Sequence, residues 1–158
     1  MSVMKPKDLG KFIKGKKNPL LITGALCDEI DFPDAKRKLL DYAVDMAKKL
    51  KDQPIAACGN TVVGLKEKGS THTKKMWVGE IVEYTRDPWI EPYIKERPDV
   101  LVFLGYTPHS MGWLCSMTKD IETVALGYQA VDQATHSLPD TVSFGEYRKN
   151  LEELVKAL

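Results

Sequence analysis

The chain has 158 residues, of which 43% are hydrophobic and 28% charged, and its formal net charge is +1. This length predicts one domain over residues 1–158, and the near balance of charge disfavours a dedicated nucleic-acid binder, which would carry a clear basic excess. The three cysteines are too few for a disulfide framework, and their odd number fits a reducing cytoplasm better than secretion.

Apolar segments in this sequence are short. The longest uninterrupted one, residues 100–104, is far below the roughly 20 residues of a membrane-spanning helix. The N-terminus has no apolar run of the kind found in signal peptides. We therefore expect a soluble, cytoplasmic protein with neither a membrane nor a nucleic acid as its partner.

The N-terminal segment, residues 1–18, is rich in lysine. Leu9, Phe12 and Ile13 allow a short amphipathic helix within it. We interpret the segment as a basic, solubilising arm, with binding of an anion or a partner as the alternative. Its lysines are Lys5, Lys7, Lys11, Lys14, Lys16 and Lys17.

Four short apolar runs follow, and each one stops at a glycine. The runs are continuous rather than alternating, as is typical of parallel strands that are covered on both faces. They therefore predict four buried strands. The runs are residues 20–23, 55–58, 100–104 and 124–126, which end at Gly24, Gly59, Gly105 and Gly127 respectively.

Helical patterns lie between these runs. Asp31 is a candidate helix cap with Pro33 in the first turn, and apolar residues then recur at helical spacing over residues 39–50. Helical spacing also predicts helices over residues 77–84 and 110–119.

A last helix begins at Ser143, because Glu146 three residues later completes the pattern of a capping box. By contrast, residues 66–75 lack apolar side chains and are expected to be the least ordered segment. Strands that alternate with helices predict an α/β fold, a three-layer Rossmann-like domain with a mainly parallel sheet.

Candidate functional residues follow three of the strands. The carboxyl ends of parallel strands share one edge of the sheet, where ligands commonly bind. Glycine lets backbone amides approach a phosphate, and hydroxyl and amide side chains add hydrogen bonds. The alternative is that strand-to-helix turns need glycine anyway, and no glycine-rich phosphate fingerprint is present. The candidate cofactor-binding residues are Gly24, Ala25, Gly59, Asn60, Thr61, Gly105, Thr107, His109 and Ser110.

No metal site is predicted. The cysteines Cys27, Cys58 and Cys115 lack the close spacing of zinc or iron–sulfur ligands, so we interpret them as structural thiols. Two histidines lie away from the candidate site: His72 in the polar segment and His136 in a loop without a visible partner. No catalytic residue is predicted.

Aromatic side chains are concentrated between residues 77 and 113. The segment 89–93, which includes Trp89, is bounded by prolines and is expected to stay partly exposed. Because large exposed aromatic side chains are typical of interfaces, Trp89 is the predicted anchor of a docking surface, with burial in the core as the alternative.

The order of these motifs resembles a known family. The run Lys-Asn-Pro-Leu-Leu-Ile-Thr-Gly at 17–24 is similar to the opening of the FAD/NAD-binding central domain of thiamine-diphosphate enzymes. More closely, the whole chain resembles the epsilon subunits of the archaeal carbon monoxide dehydrogenase/acetyl-CoA synthase complex (acetyl-CoA decarbonylase/synthase). The supporting stretches are residues 57–61, 104–106, 127–129 and 137–140.

This resemblance implies an accessory subunit without catalytic activity of its own. Its implied partner is the large nickel–iron–sulfur alpha subunit, in an alpha2epsilon2 component that interconverts CO and CO₂. The implied role is stabilisation of that component or assistance in electron transfer to FAD, which would lie at the strand carboxyl edge; the isolated chain is expected to be a homo-oligomer. The alternative is a free-standing flavin- or CoA-type nucleotide-binding protein.

Overall fold

A computed structural model describes residues 1–51, 53–86, 88–91 and 93–158. Within these ranges the main sheet has seven strands, all parallel. They are β1 (Ser2–Val3), β2 (Pro19–Thr23), β5 (Ile55–Ala57), β6 (Thr73–Lys75), β7 (Val100–Leu104), β8 (Glu122–Ala125) and β9 (His136–Ser137). The strands β3 (Asp31–Phe32) and β4 (Arg37–Lys38) form a separate antiparallel pair.

Helices connect the parallel strands. They are α1 (Pro6–Lys14), α2 (Leu26–Glu29), α3 (Leu39–Lys49), α4 (Thr61–Glu67), α5 (Val78–Tyr84), α6 (Pro108–Met117) and α7 (Phe144–Ala157). Among the described residues, none of the helices has both the length and the apolar character that a bilayer crossing requires.

The strand order in the main sheet is β1-β9-β8-β7-β2-β5-β6. The chain therefore builds outward from β2 through β5 to β6, and then returns to the other side of β2 to add β7, β8 and β9. In register, Leu21 of β2 lies beside Ile55 of β5 on one side and Val102 of β7 on the other. The order reverses between β2 and β7, which makes this point the topological switch point of the sheet.

Two hydrophobic cores lie on the two faces of the sheet. Leu21 and Val102 belong to the core formed with α1, α3 and α7, whereas Leu20 and Phe103 belong to the core formed with α5 and α6. Successive strand residues point to opposite faces, so a strand in the middle layer must be apolar at every position. The predicted three-layer Rossmann-like α/β fold is thus confirmed.

The four predicted strands and the helices at 77–84, 110–119 and 143 onward are present, with shifts of up to two residues at their ends. Ser143 caps α7 as predicted, because its hydroxyl accepts a hydrogen bond from the Glu146 amide at 3.1 Å. The reciprocal bond goes one residue further back, from the Val142 amide to the Glu146 carboxylate at 3.1 Å.

Two predictions about local structure were wrong. The helix expected from Asp31 begins at Leu39, because Asp31 lies in the β3–β4 pair and the Lys38 amide bonds the Asp41 carboxylate at 2.8 Å instead. Residues 66–75, expected to be the least ordered segment, contain the end of α4 and the edge strand β6. An edge strand covered on one side needs few apolar residues, so its sequence carries little strand signal.

Candidate functional site at the carboxyl edge of the sheet

The loops that leave β2 and β7 meet at the switch point. The amide of Gly24 donates to the carbonyl of Leu104 at 2.8 Å, and the amide of Leu26 donates to the carbonyl of Gly105 at 2.9 Å. The exposed Ala25 lies between these two bonds. Two of the backbone donors that a phosphate could use at this position, the amides of Gly24 and Leu26, are therefore already bonded within the protein.

The two glycines of these loops are required by close packing. A Cβ on Gly24 would lie 2.5 Å from the carbonyl oxygen of Gly105 and 2.8 Å from the ring of Tyr106. A Cβ on Gly105, whose φ is +86°, would lie 2.4 Å from the Cys27 sulfur. Both glycines thus let one loop approach the other closely. This agrees with the alternative interpretation of these glycines, that strand-to-helix turns need glycine for structural reasons.

Tyr106 fills the space over the switch point. Its ring packs edge-on to Phe103, with ring centroids 6.1 Å apart, and lies against Gly24. Its hydroxyl is buried next to the Cys58 thiol and makes no hydrogen bond of normal geometry within the described residues. Burial, with a smaller contribution from Cys58, raises the pKa of Tyr106 far above its usual value, so the side chain stays neutral. Sequence reasoning missed this residue, because an aromatic residue after a strand carries no signal of where its ring will lie.

Of the three candidate residues in the turn after β5, two lie at the surface and one lies in the core. Gly59 (φ +61°) and Asn60 are exposed, and a Cβ on Gly59 would meet no atom within 4 Å. Thr61 is fully buried, and its hydroxyl donates to the Cys58 carbonyl at 2.6 Å. Because that proton is used, the Thr23 hydroxyl must donate to the Thr61 oxygen across 2.9 Å. Thr61 therefore ties β5 to β2 rather than facing the edge.

The turn after β7 presents the start of α6 at the same edge. Thr107 caps this helix, since its hydroxyl oxygen accepts from the Ser110 amide at 3.2 Å and its proton is donated to the Ser110 hydroxyl at 3.0 Å. His109 is exposed in the first turn. The structure thus gathers Thr107, His109 and Ser110 at a helix start, as the sequence indicated, with two hydroxyls already paired.

The three cysteines are buried separately, Cys27 in α2, Cys58 after β5 and Cys115 in α6. Burial raises the pKa of all three thiols, and that of Cys115 rises to about 11. They are therefore protonated and unreactive at neutral pH, as expected for structural thiols. No group of three or more metal-ligating side chains occurs within the described ranges.

His136 has partners that the sequence did not reveal. It lies in β9, where its Nε2 is 3.4 Å from a Glu122 carboxylate oxygen and its ring packs edge-on to Phe12 at 4.4 Å. Glu122 also receives a hydrogen bond from Lys16, which lowers the pKa of that carboxyl. The prediction of a loop histidine without a partner was wrong, because strands of two residues leave no pattern in the sequence.

The segment 89–93 is partly exposed, as predicted, since Ile90 is 70% and Tyr93 39% exposed, but the most exposed tryptophans lie elsewhere. Trp89 itself is half-buried, because it packs on Tyr84 and donates its indole N–H to the carbonyl of Ile94 at 2.5 Å. Trp77, just before α5, and Trp113, in α6, are 71% and 65% exposed. Of the predicted segment 89–93, Pro92 lies outside the described residues.

Comparisons with known proteins give a relative by sequence. No family model matches the chain. Over 132 residues the chain is 30% identical to acetyl-CoA decarbonylase/synthase complex subunit epsilon 1 of Archaeoglobus fulgidus, an alignment that covers 79% of this chain and 66% of the relative. The chain thus spans slightly less than two thirds of the length of the curated relative that it matches.

A solved short chain alcohol dehydrogenase of E. coli CFT073, complexed with its cofactor NADH, aligns with a TM-score of 0.42 and 10% identity over 96% of this chain and 46% of that chain. A likeness this distant carries no functional argument. The sequence match, in contrast, agrees with the resemblance found in residues 57–61, 104–106, 127–129 and 137–140: this chain is a relative of the epsilon subunit of the acetyl-CoA decarbonylase/synthase complex.

Proposed function

We propose that this chain is an accessory epsilon subunit of an archaeal carbon monoxide dehydrogenase/acetyl-CoA decarbonylase/synthase complex. In this proposal a single Rossmann-like domain binds the large nickel–iron–sulfur alpha subunit and stabilises an alpha2epsilon2 component in the cytoplasm. The observation that carries the proposal is the 30% identity to a protein named as subunit epsilon 1 of that complex. The low reactivity of the three buried thiols is consistent with a chain that does no covalent chemistry itself.

The docking surface that we propose is the α5–α6 face, defined by Trp77 and Trp113. The helices α5 and α6 pack side by side over the same core, so both tryptophans belong to one layer of the molecule. Large aromatic side chains left in solvent are costly for an isolated domain, and they are common anchors in interfaces. Trp89 is not part of this proposed surface, because its ring packs on Tyr84 and its N–H donates to the Ile94 carbonyl.

Co-expression with the alpha subunit tests this surface. Trp77→Ala and Trp113→Ala should each weaken co-assembly at least about fivefold, or about 1 kcal/mol, while the melting temperature of the isolated chain stays unchanged. Val63→Ala is the control, because Val63 is 56% exposed on α4, which contributes to the other core. Assembly that is unchanged in both tryptophan variants would remove this face from the interface.

Activity assays test the accessory role itself. The isolated chain should not oxidise CO with an artificial electron acceptor, whereas the assembled component should. Light scattering of the isolated chain tests the proposed homo-oligomer. CO oxidation by the chain alone would overturn the proposal.

FAD, which the resemblance implies, does not fit the switch point as the residues are placed. The Tyr106 ring occupies the crevice, and the amides of Gly24 and Leu26 are bonded within the protein. We therefore derive no electron-transfer step through a flavin. A role of Gly24 and Gly105 in flavin binding would require these loops to separate, so wild-type protein titrated with FAD should show no binding.

A further inference from the structure

A groove of about 450 Å³ lies at the amino edge of the sheet, opposite to the carboxyl edge. The helices α1 and α3 both end here, before the chain enters β2 and β5. We call it the lysine groove, because its wall carries Lys14, Lys16, Lys48, Lys49 and Lys51.

The lysine groove is locally positive in a chain whose net charge is only +1. Lys16 pairs with Glu122, but no carboxylate among the described residues lies within 4.0 Å of the other four ammonium groups. Asp52 lies outside the described residues. The two helix C-termini contribute about half a negative charge each, which offsets part of the positive charge and leaves an excess.

Helix stability explains only some of these lysines. Lys14, Lys48 and Lys49 lie in last helical turns, where cations interact favourably with the helix dipole. Lys51 does not fit this explanation. It has a φ of +56° immediately after Leu50, the residue that caps α3, and glycine is the residue usually found at that position. A lysine therefore occupies a backbone position that favours glycine, and it lines the same groove.

We propose that the lysine groove binds a nucleoside polyphosphate. Its phosphates would contact the lysine ammonium groups, and its base and ribose would lie against Pro19, Leu50 and Leu158, which also line the groove. The volume is within the usual range of small-molecule sites, and lysine is a common phosphate ligand. The apolar lining favours a ligand with an organic part over a bare anion. This site is independent of the proposed docking function.

Calorimetric titration of the full chain with ATP tests the site. Wild type should bind ATP, and Lys48→Gln/Lys49→Gln should bind it at least tenfold more weakly. The matched control is Lys7→Gln/Lys66→Gln, which removes two exposed lysines outside the groove and should change affinity less than twofold. Equal loss in both double variants would indicate general charge attraction and overturn the site.

Lys51→Gly separates binding from folding. Glycine suits the positive φ, so the variant should melt at the same or a higher temperature and yet bind ATP more weakly. Tripolyphosphate and adenosine should each bind more weakly than ATP. Tripolyphosphate binding as tightly as ATP would overturn the nucleoside assignment. Binding of a polyglutamate peptide, but not of ATP, through Lys48 and Lys49 would overturn it in favour of an acidic protein segment.

Discussion

At the scale of single residues, Gly24 and Gly105 show that the role of a strand-end glycine depends on the loop that packs against it. Each would place a Cβ within 3.0 Å of the other loop, so the two glycines set how closely the loops after β2 and β7 can pack. Gly59 has a similar positive φ but faces open space. Glycine is therefore required by close contact at Gly24, favoured by backbone conformation at Gly59, and required for both reasons at Gly105.

Gly105→Ala should destabilise the protein by about 2–4 kcal/mol. Alanine disfavours the left-handed backbone that Gly105 adopts, and its Cβ would also clash with Cys27 and Gly24. Gly59→Ala should destabilise by only about 1–2 kcal/mol, because the left-handed backbone is unfavourable for alanine but its Cβ meets no other atom. Urea unfolding of both variants measures the difference. Equal losses at the two positions would mean that the loops relax without cost around the new methyl group.

Tyr106→Phe should leave the free energy of unfolding unchanged or raise it by up to about 1 kcal/mol, because the hydroxyl it removes is buried without a normal hydrogen bond. Tyr147→Phe is the matched control. The Tyr147 hydroxyl donates to the Leu126 carbonyl at 2.7 Å, so its removal should cost about 1–2 kcal/mol. A comparable loss in Tyr106→Phe would show that the Cys58 contact acts as a true hydrogen bond.

At the scale of elements, α1 and α7 pack against each other more closely than ordinary side chains allow. Gly10 is the contact point, since a Cβ there would lie 2.5 Å from the carbonyl oxygen of Leu154 and 2.8 Å from the Cβ of Ala157. Leu9, Ile13 and Leu154 then enter the same core. The basic arm expected at residues 1–18 thus contains a packed helix and the short strand β1, while its lysines remain largely in solvent.

Gly10→Ala should destabilise by about 1–2 kcal/mol although alanine is the better helix former, because overpacking at the α1–α7 contact exceeds the gain in propensity. Gly79→Ala in α5 is the control, since a Cβ there meets nothing within 4 Å. It should stabilise by about 0.5–1 kcal/mol. Thermal unfolding of both variants checks the opposite signs, and stabilisation by Gly10→Ala would contradict the close packing.

At the scale of the whole molecule, burial of titratable groups should make stability depend on pH in the alkaline range. Burial raises the pKa of Cys27, Cys58 and Tyr147, and raises that of Cys115 from 9.0 to about 11. A group with a raised pKa in the folded state keeps its proton when the unfolded chain has lost it. Its contribution is therefore complete below pH 9 and is lost as pH rises.

The free energy of unfolding should fall between pH 9 and 11, by up to about 1.4 kcal/mol per pH unit for each buried thiol. Cys115→Ala should fall less steeply over this interval than wild type. Guanidinium titrations at several pH values measure both slopes. Identical slopes would show that Cys115 titrates in the folded protein much as it does in the unfolded chain.

The sequence by itself determined the layered α/β fold and most of its elements, because strands buried on both faces must be apolar throughout and helices show their apolar period locally. It also placed Ser143 at a helix start, where capping depends on residues three positions apart. The tertiary structure alone decided what the strand-end glycines contact, where the Tyr106 ring lies and which lysines share a groove. These features depend on distances between residues far apart in the chain, and no local pattern records them.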